Sequence, residues 1–290
     1  MVLNILGKGN NYKSVVGGGH YSNINSYFKR WCKAFTHVAH WKDSRKVAFT
    51  LAEVLITLGI IGIVAALTLP TLIQNHQKRV AVEGLKKEYS ILQQALKMYQ
   101  ADNNVDFDEI ETNLTGEKFM QTYILPYVQI IGECKGTAKC YRKPPLAIDR
   151  KTKLVIGNKF YILKDGAFLG INLNSTSGKV FYIDINGAKE PNYAGRDIFF
   201  FYYVNKKTIL DDKVHPECDS GVSSLKSGLY PGAYSACYLP FTRFSRAQLL
   251  GSSIDRSCSR NALKLAVVGG DACAALIMLD GWKIEKDYPW

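Results

Sequence analysis

Arg45-Lys46-Val47-Ala48-Phe49-Thr50-Leu51-Ala52-Glu53-Val54-Leu55-Ile56 opens an apolar run that continues to Ile73. Between Phe49 and Ile73 the sole charged residue is Glu53. A helix of about 25 residues, rising ~1.5 Å each, covers ~37 Å, enough to cross a hydrocarbon layer of ~30 Å. A carboxylate inside that layer costs about 2.5–3.5 kcal/mol on insertion scales, so a partner is expected for Glu53. Gly59, Gly62, Ala65 and Ala66 supply small residues, with Gly62 and Ala66 four apart, which suits close helix approach.

Beyond Pro70 the run becomes amphipathic. Leu85, Tyr89, Leu92, Leu96 and Tyr99 recur on one helix face, with Lys86, Lys87, Gln93, Gln94, Lys97 and Gln100 on the other. One continuous helix is therefore expected from Phe49 to Tyr99, divided into a membrane half (49–73) and an amphipathic half (74–100). Pro70 should bend it and Gly84 soften it, and Asp102-Asn103-Asn104 should end it. From Lys153 onward the pattern is strand-like. Phe160-Tyr161-Ile162-Leu163 and Ala167-Phe168-Leu169 flank Lys164-Asp165-Gly166, a hairpin signal. Val180–Ile183 and Ile198–Val204 add two β-rich runs, the second turning at Asn205-Lys206-Lys207 into Thr208-Ile209-Leu210. Cys218–Ser259 reads as loop, and Ala262–Leu279 as containing a helix. The fold class is α+β: a long membrane-spanning N-terminal helix packed on a small antiparallel sheet within an exported domain of residues 101–290, with the Leu85–Tyr99 stripe covering one sheet face.

In the other direction lies a basic segment, residues 1–48. It holds eight Lys and Arg against one Asp, so it carries seven of the twelve net positive charges. Positive charge just before a membrane helix keeps that end cytoplasmic, which places the remainder on the far side and explains the basicity by topology rather than by nucleic-acid binding. Cysteine usage agrees. Cys32 is in this segment, while Cys134, Cys140, Cys218, Cys237, Cys258 and Cys273 form an even set beyond the helix, suited to disulfides in an oxidising compartment. No Cys-x-x-Cys knuckle favours zinc. Six cysteines allow 15 connectivities; the short loop closed by Cys134 and Cys140 is the preferred pair.

The basic flank, the Phe49 start and Glu53 together resemble the leader and N-terminal helix of type IV pilins and type II secretion pseudopilins. With Phe49 as the first mature residue, Glu53 falls fifth and Pro70 twenty-second, where such helices often carry a kinking proline. The resemblance implies a basic leader (1–48) cut between Ala48 and Phe49 by a prepilin peptidase, which methylates the new amine. It implies that Glu53 pairs with the N-terminal amine of a sister subunit. It also implies residence in the cytoplasmic membrane as a single-pass protein with an exported C-terminal domain, then, with an inner-membrane assembly platform, incorporation into an extracytoplasmic filament, a type IV pilus or a type II secretion pseudopilus. The alternative is a minor pilin acting in DNA uptake or adhesion, which clustered Lys and Arg beside exposed aromatics on the folded domain would favour.

Asp184-Ile185-Asn186-Gly187, with Pro191-Asn192 and Gly195-Arg196-Asp197, resembles a loop of pilin-like C-terminal domains that is sometimes calcium-stabilised. Asp184, Asn186 and Asp197 would be the ligands, and calcium is the one cofactor considered. The spacing of a full calcium loop is not met, so a turn whose Asp and Asn side chains cap the backbone, with Arg196 pairing Asp197, is preferred. Catalysis has little support. Beyond the leader the histidines are His76 and His215, neither within a metal or nucleophile motif, and no hydrolase pattern occurs. The chain reads as a non-enzyme.

Overall fold

A computed structural model describes residues 49–157, 159–171, 179–206, 226–232, 244–252, 257–262 and 269–290. Helix α1 spans Leu51–Asn103, 53 residues, and continues through Pro70. Proline has no N–H to give the carbonyl of Ala66, yet the ladder closes on either side. Its end follows the expectation from Asp102-Asn103-Asn104: Asn104 adopts φ +52°, and the Val105 N–H reaches back to the Gln100 carbonyl at 3.2 Å. This is the left-handed cap in which asparagine is the usual substitute for glycine.

The chain forms two compact units, divided after Val64. In the first, the described residues are the start of α1, and their side chains face outward: Leu51 is 77% exposed, with Leu55, Ile56, Leu58, Ile60, Ile61 and Ile63 similarly open. α1 contains an 18-residue window of mean hydropathy 2.3 with none of it buried, so one helix is long and apolar enough to cross a membrane.

The second unit, Ala65–Trp290, is built on a six-stranded antiparallel sheet. Its strands are β1 (Ile130–Lys135), β2 (Lys159–Leu163), β3 (Phe168–Ile171), β4 (Lys179–Asp184), β5 (Ile198–Val204) and β6 (Gly228–Pro231), each paired with the next in sequence. The Lys164-Asp165-Gly166 turn joins β2 to β3 as its composition requires, with Gly166 at φ +92°. β1 and β6, the two edge strands, occupy stretches without a strand signal, and β6 lies inside the segment read as loop. The onward run Thr208-Ile209-Leu210 lies outside the described residues. The helix sought in Ala262–Leu279 is present as Cys273–Leu279, and a further short helix, Arg246–Leu250, starts with a Ser245/Gln248 capping box.

All seven residues of β5 are buried. Period-2 alternation sends Phe199, Phe201 and Tyr203 to one face and Ile198, Phe200, Tyr202 and Val204 to the other. The first face packs against Leu85, Leu92 and Leu96 of α1, as the amphipathic stripe predicts, joined by Phe119, Tyr123 and the Cys273–Leu279 helix. Tyr89 stacks on Phe201 at 5.1 Å between ring centroids. The second face is also covered, by Cys140, Tyr141, Ala147, Leu154 and Ile156. That departs from a one-sided sheet, and it explains why β5 is an unbroken apolar run rather than an alternating one.

Candidate functional site

Phe49 is exposed immediately before α1; Ala48 lies outside the described residues. Thr50 caps the helix. Its Oγ1 accepts from the Glu53 N–H at 3.2 Å, and Glu53 Oε2 accepts from the Thr50 N–H at 2.8 Å and the Thr50 hydroxyl at 3.0 Å. This reciprocal pair is a capping box, which satisfies two backbone donors that a helix start leaves open. Glu53 thus has a partner inside its own chain, three residues away. The capping signal is legible in Thr50-Leu51-Ala52-Glu53 and escapes a reading that treats Glu53 only as a charge in an apolar run.

A second carboxylate sits on α1 where the sequence reading placed none. Glu88 is 2% exposed, on the sheet-facing side between Leu85 and Leu92. Neither of its oxygens has a hydrogen-bond partner, and Lys87 Nζ stands 3.4 Å away. Burial, followed by the nearby Asp165 carboxylate, pushes Glu88 up to about 7 against the pull of Lys87. Asp165 goes the other way: burial would raise it, but the hydrogen bond from Lys87 and the Ala167 N–H at 3.1 Å hold it below the ordinary range. The β2–β3 turn is thereby fastened to the outer half of α1. A groove of about 510 Å³ opens beside this contact, lined by Ile91, Met98, Tyr127 and Leu163. The signal for Glu88 was available: it is three residues after Leu85 and four before Leu92, so helical spacing alone assigns it to the buried face.

Asp184, Asn186 and Asp197 do meet. Asp184 closes β4, and its Oδ1 accepts from the Asn186 N–H at 3.2 Å; Asn186 Nδ2 donates to Asp197 Oδ1 at 3.3 Å; Asp197 Oδ2 accepts from the Tyr193 N–H at 3.4 Å. Gly187 follows at φ +63°, and a Cβ there would stand 2.2 Å from the Gly166 carbonyl, so the tight turn demands glycine. Burial, with the Asp197 carboxylate next, drives Asp184 well above the carboxylate range, and burial raises Asp197 to about 7. Calcium takes 6–8 oxygen ligands. Here Asp184 Oδ1 and both Asp197 oxygens accept from N–H groups, and Asn186 Oδ1 is buried without a hydrogen bond. No set of three or more His, Cys, Asp and Glu side chains among the described residues is placed to hold a metal ion. The three side chains cap the turn. Arg196 does not form the expected pair with Asp197. It donates to Gln77 Oε1 at 3.3 Å and lies 5.0 Å from the Trp290 ring, while its charge moderates the rise at Asp197.

Among the described residues two disulfides are formed. Cys134–Cys140 ties the end of β1 to the helical turn Thr137–Cys140, the expected pair, and Cys258–Cys273 anchors the segment after Arg246–Leu250 to the start of the Cys273–Leu279 helix. Cys218 and Cys237 lie outside the described residues. The C-terminal segment has its own clamp: Arg246 grips Asp280 at 2.6 Å and Asp287 at 2.6 Å.

The fold so described is that of an α+β protein with one long, partly uncovered helix on a two-faced meander sheet. Residues 71–290 match a family of unknown function (DUF6613), and the chain belongs to that family. The match begins directly after Pro70, so most of the uncovered apolar run precedes it. No curated protein and no solved structure matches the chain.

Proposed function

We propose that the chain is a pilin-like subunit, cleaved between Ala48 and Phe49 by a prepilin peptidase, held in the cytoplasmic membrane by residues 49–73 with its C-terminal domain exported, and then drawn into a type IV pilus or type II secretion pseudopilus. The observation that carries this is the uncovered apolar half of α1 with a carboxylate one turn from its start. A soluble helix of that hydropathy would be buried in its own core; this one needs lipid tails or sister helices as its solvent. The two disulfides suit an oxidising compartment. The role is structural rather than enzymatic, and its partners are the peptidase, the assembly platform and copies of itself.

The capping box sharpens the test of Glu53. Glutamine at the same position can still accept from Thr50, so Glu53→Gln retains the cap and removes the charge, whereas Glu53→Ala removes both. Both variants should be exported and folded, and both should be depleted from sheared filaments. Glu53→Ala alone should also fray the helix start, by ~1 kcal/mol. Normal incorporation of Glu53→Gln would reduce the carboxylate to a cap and remove its assembly role. N-terminal sequencing of the membrane-extracted protein should read methylated Phe, then Thr50-Leu51-Ala52-Glu53; a different mature start would sink the assignment.

A further inference from the structure

Three guanidinium groups gather where α1 leaves its apolar run. Arg150 feels the charges of both Arg196 and Arg260, and burial together with those two neighbours lowers its proton affinity. Each is held by an aromatic residue or its backbone: Arg150 lies 5.5 Å from the Tyr193 ring, Arg196 lies 5.0 Å from the Trp290 ring, and Arg260 donates at 2.8 Å to the main-chain oxygen of Trp290, which is a carboxylate oxygen where the sequence ends. The backbone cooperates, since Arg150 takes φ +60°, a conformation uncommon for a long side chain, in a turn whose Asp149 carboxylate is occupied by the N–H groups of Lys151 and Thr152 at 3.0 Å. No Asp or Glu side chain pairs with any of the three among the described residues. The nearby acids are engaged otherwise: Glu190 with Lys143 at 2.7 Å, and Asp197 in its buried turn.

Like charges assembled in excess of their neighbouring counter-charges repel one another, and an anion relieves that cost. The place of the cluster indicates which anion. Arg196 binds Gln77, four residues past Ile73, and Trp290 lines a groove with His76, Gln77 and Val80. These residues and the last apolar ones, Leu69 to Ile73, belong to the same compact unit. On the other side of the helix at this level, Lys78, Arg79 and Lys283 stand beside Trp282, roughly balanced by Glu83 and Glu285. A band of arginine, lysine and tryptophan just outside an apolar helix is the composition that settles at a headgroup layer.

We propose that this end of the second unit docks on anionic phospholipid headgroups, with Arg150, Arg196 and Arg260 binding lipid phosphates and Trp290 lying in the interfacial layer. The inference rests on the membrane reading of residues 49–73 and adds a second, electrostatic attachment of the folded domain. Nucleic acid offers the same phosphate chemistry, but the bilayer is the polyanion that the helix itself brings to this surface.

The full chain, reconstituted into vesicles of phosphatidylcholine alone or mixed with phosphatidylglycerol, is first floated to verify insertion. Backbone hydrogen exchange is then followed across Asp149–Lys153 and Lys283–Trp290. Exchange should be slower in the phosphatidylglycerol vesicles, by about fivefold for each engaged arginine, and the difference should vanish at high salt. The triple variant Arg150→Gln/Arg196→Gln/Arg260→Gln should exchange alike in both lipids. Arg260→Gln alone, at an exposed site where folding is not at issue, should lose about fivefold of the protection. A wild-type chain that floats yet exchanges equally in both vesicles overturns the docking and leaves the membrane reading intact. A chain that does not float overturns both. Protection by a single-stranded oligonucleotide in phosphatidylcholine vesicles, without any effect of phosphatidylglycerol, would reassign the surface to nucleic acid and overturn the lipid proposal.

Discussion

Glu53 and Glu88 are carboxylates placed on apolar stretches of one helix, and their surroundings treat them in opposite ways. Glu53 is surrounded by exposed apolar side chains, and it turns back on Thr50 to close the helix start. Glu88 is enclosed between α1 and the sheet, has no hydrogen bond, and holds its proton to about 7. The lesson concerns the solvent each half of α1 was built for. In the first half apolar side chains are the surface and the polar group is satisfied within a single turn. In the second half apolar side chains are the core, and the polar group is left to be neutralised by proton uptake.

The contrast breaks most visibly at leucine. Leu92→Ala should destabilise the folded domain by about 2–5 kcal/mol, since Leu92 is fully packed, whereas Leu58→Ala should leave domain unfolding unchanged because Leu58 is exposed and lies outside the domain core. Denaturant unfolding followed by near-UV circular dichroism in detergent compares the two; equal losses would erase the division of α1 into two solvents.

Glu88 supplies the next largest effect, and it depends on pH. Its carboxyl holds a proton in the folded state up to about 7, against 4.5 for the free group, so its own contribution to stability is fully present below ~4.5 and is lost as pH rises through ~7. Glu88→Gln mimics the protonated form. It should match wild type at pH 4 and exceed it at pH 8 by about 3 kcal/mol. Asp184 and Asp197 titrate in the same sense in both proteins and cancel from the difference. A difference independent of pH would show that Glu88 is charged throughout.

The disulfides bring smaller changes. Removing Cys258–Cys273, which closes 15 residues and is fully buried, should cost about 3 kcal/mol, and removing Cys134–Cys140, which closes 6, about 2 kcal/mol. Melting temperatures of Cys258→Ser and Cys134→Ser under non-reducing conditions check the order. Smallest is Gly84→Ala, expected to stabilise by up to ~1 kcal/mol: a Cβ there would stand 3.4 Å from Ile185, ordinary contact, while the helix gains the propensity of alanine. A loss instead would mean that α1 and the β4 turn tolerate no added methyl.

The extent of α1, its Asn104 cap, the β2–β3 hairpin, β4, β5 and the Cys134–Cys140 bond all follow from local chemistry: hydropathy length, a period of 3.6 or 2, an Asp-Gly turn and a short cysteine spacing. The candidate site was legible to the same depth, in Glu53 and in the three residues at the turn after β4. What local chemistry does not encode is pairing at a distance. β1 and β6 are edge strands with a neighbour on one side only, and Gly132, Gly228 and Pro231 weaken their own strand signal, so each exists because β2 or β5 is already in place. The second sheet cover, the burial of Glu88 and the gathering of Arg150, Arg196 and Arg260 likewise join residues far apart in the chain. By itself the sequence determined which segments are helix and hairpin and which half of α1 demands an apolar medium, because those depend on neighbours within a turn or two. The tertiary structure alone decided which carboxylate keeps its proton and which cations share a surface, because burial and electrostatic contact depend on distance in space.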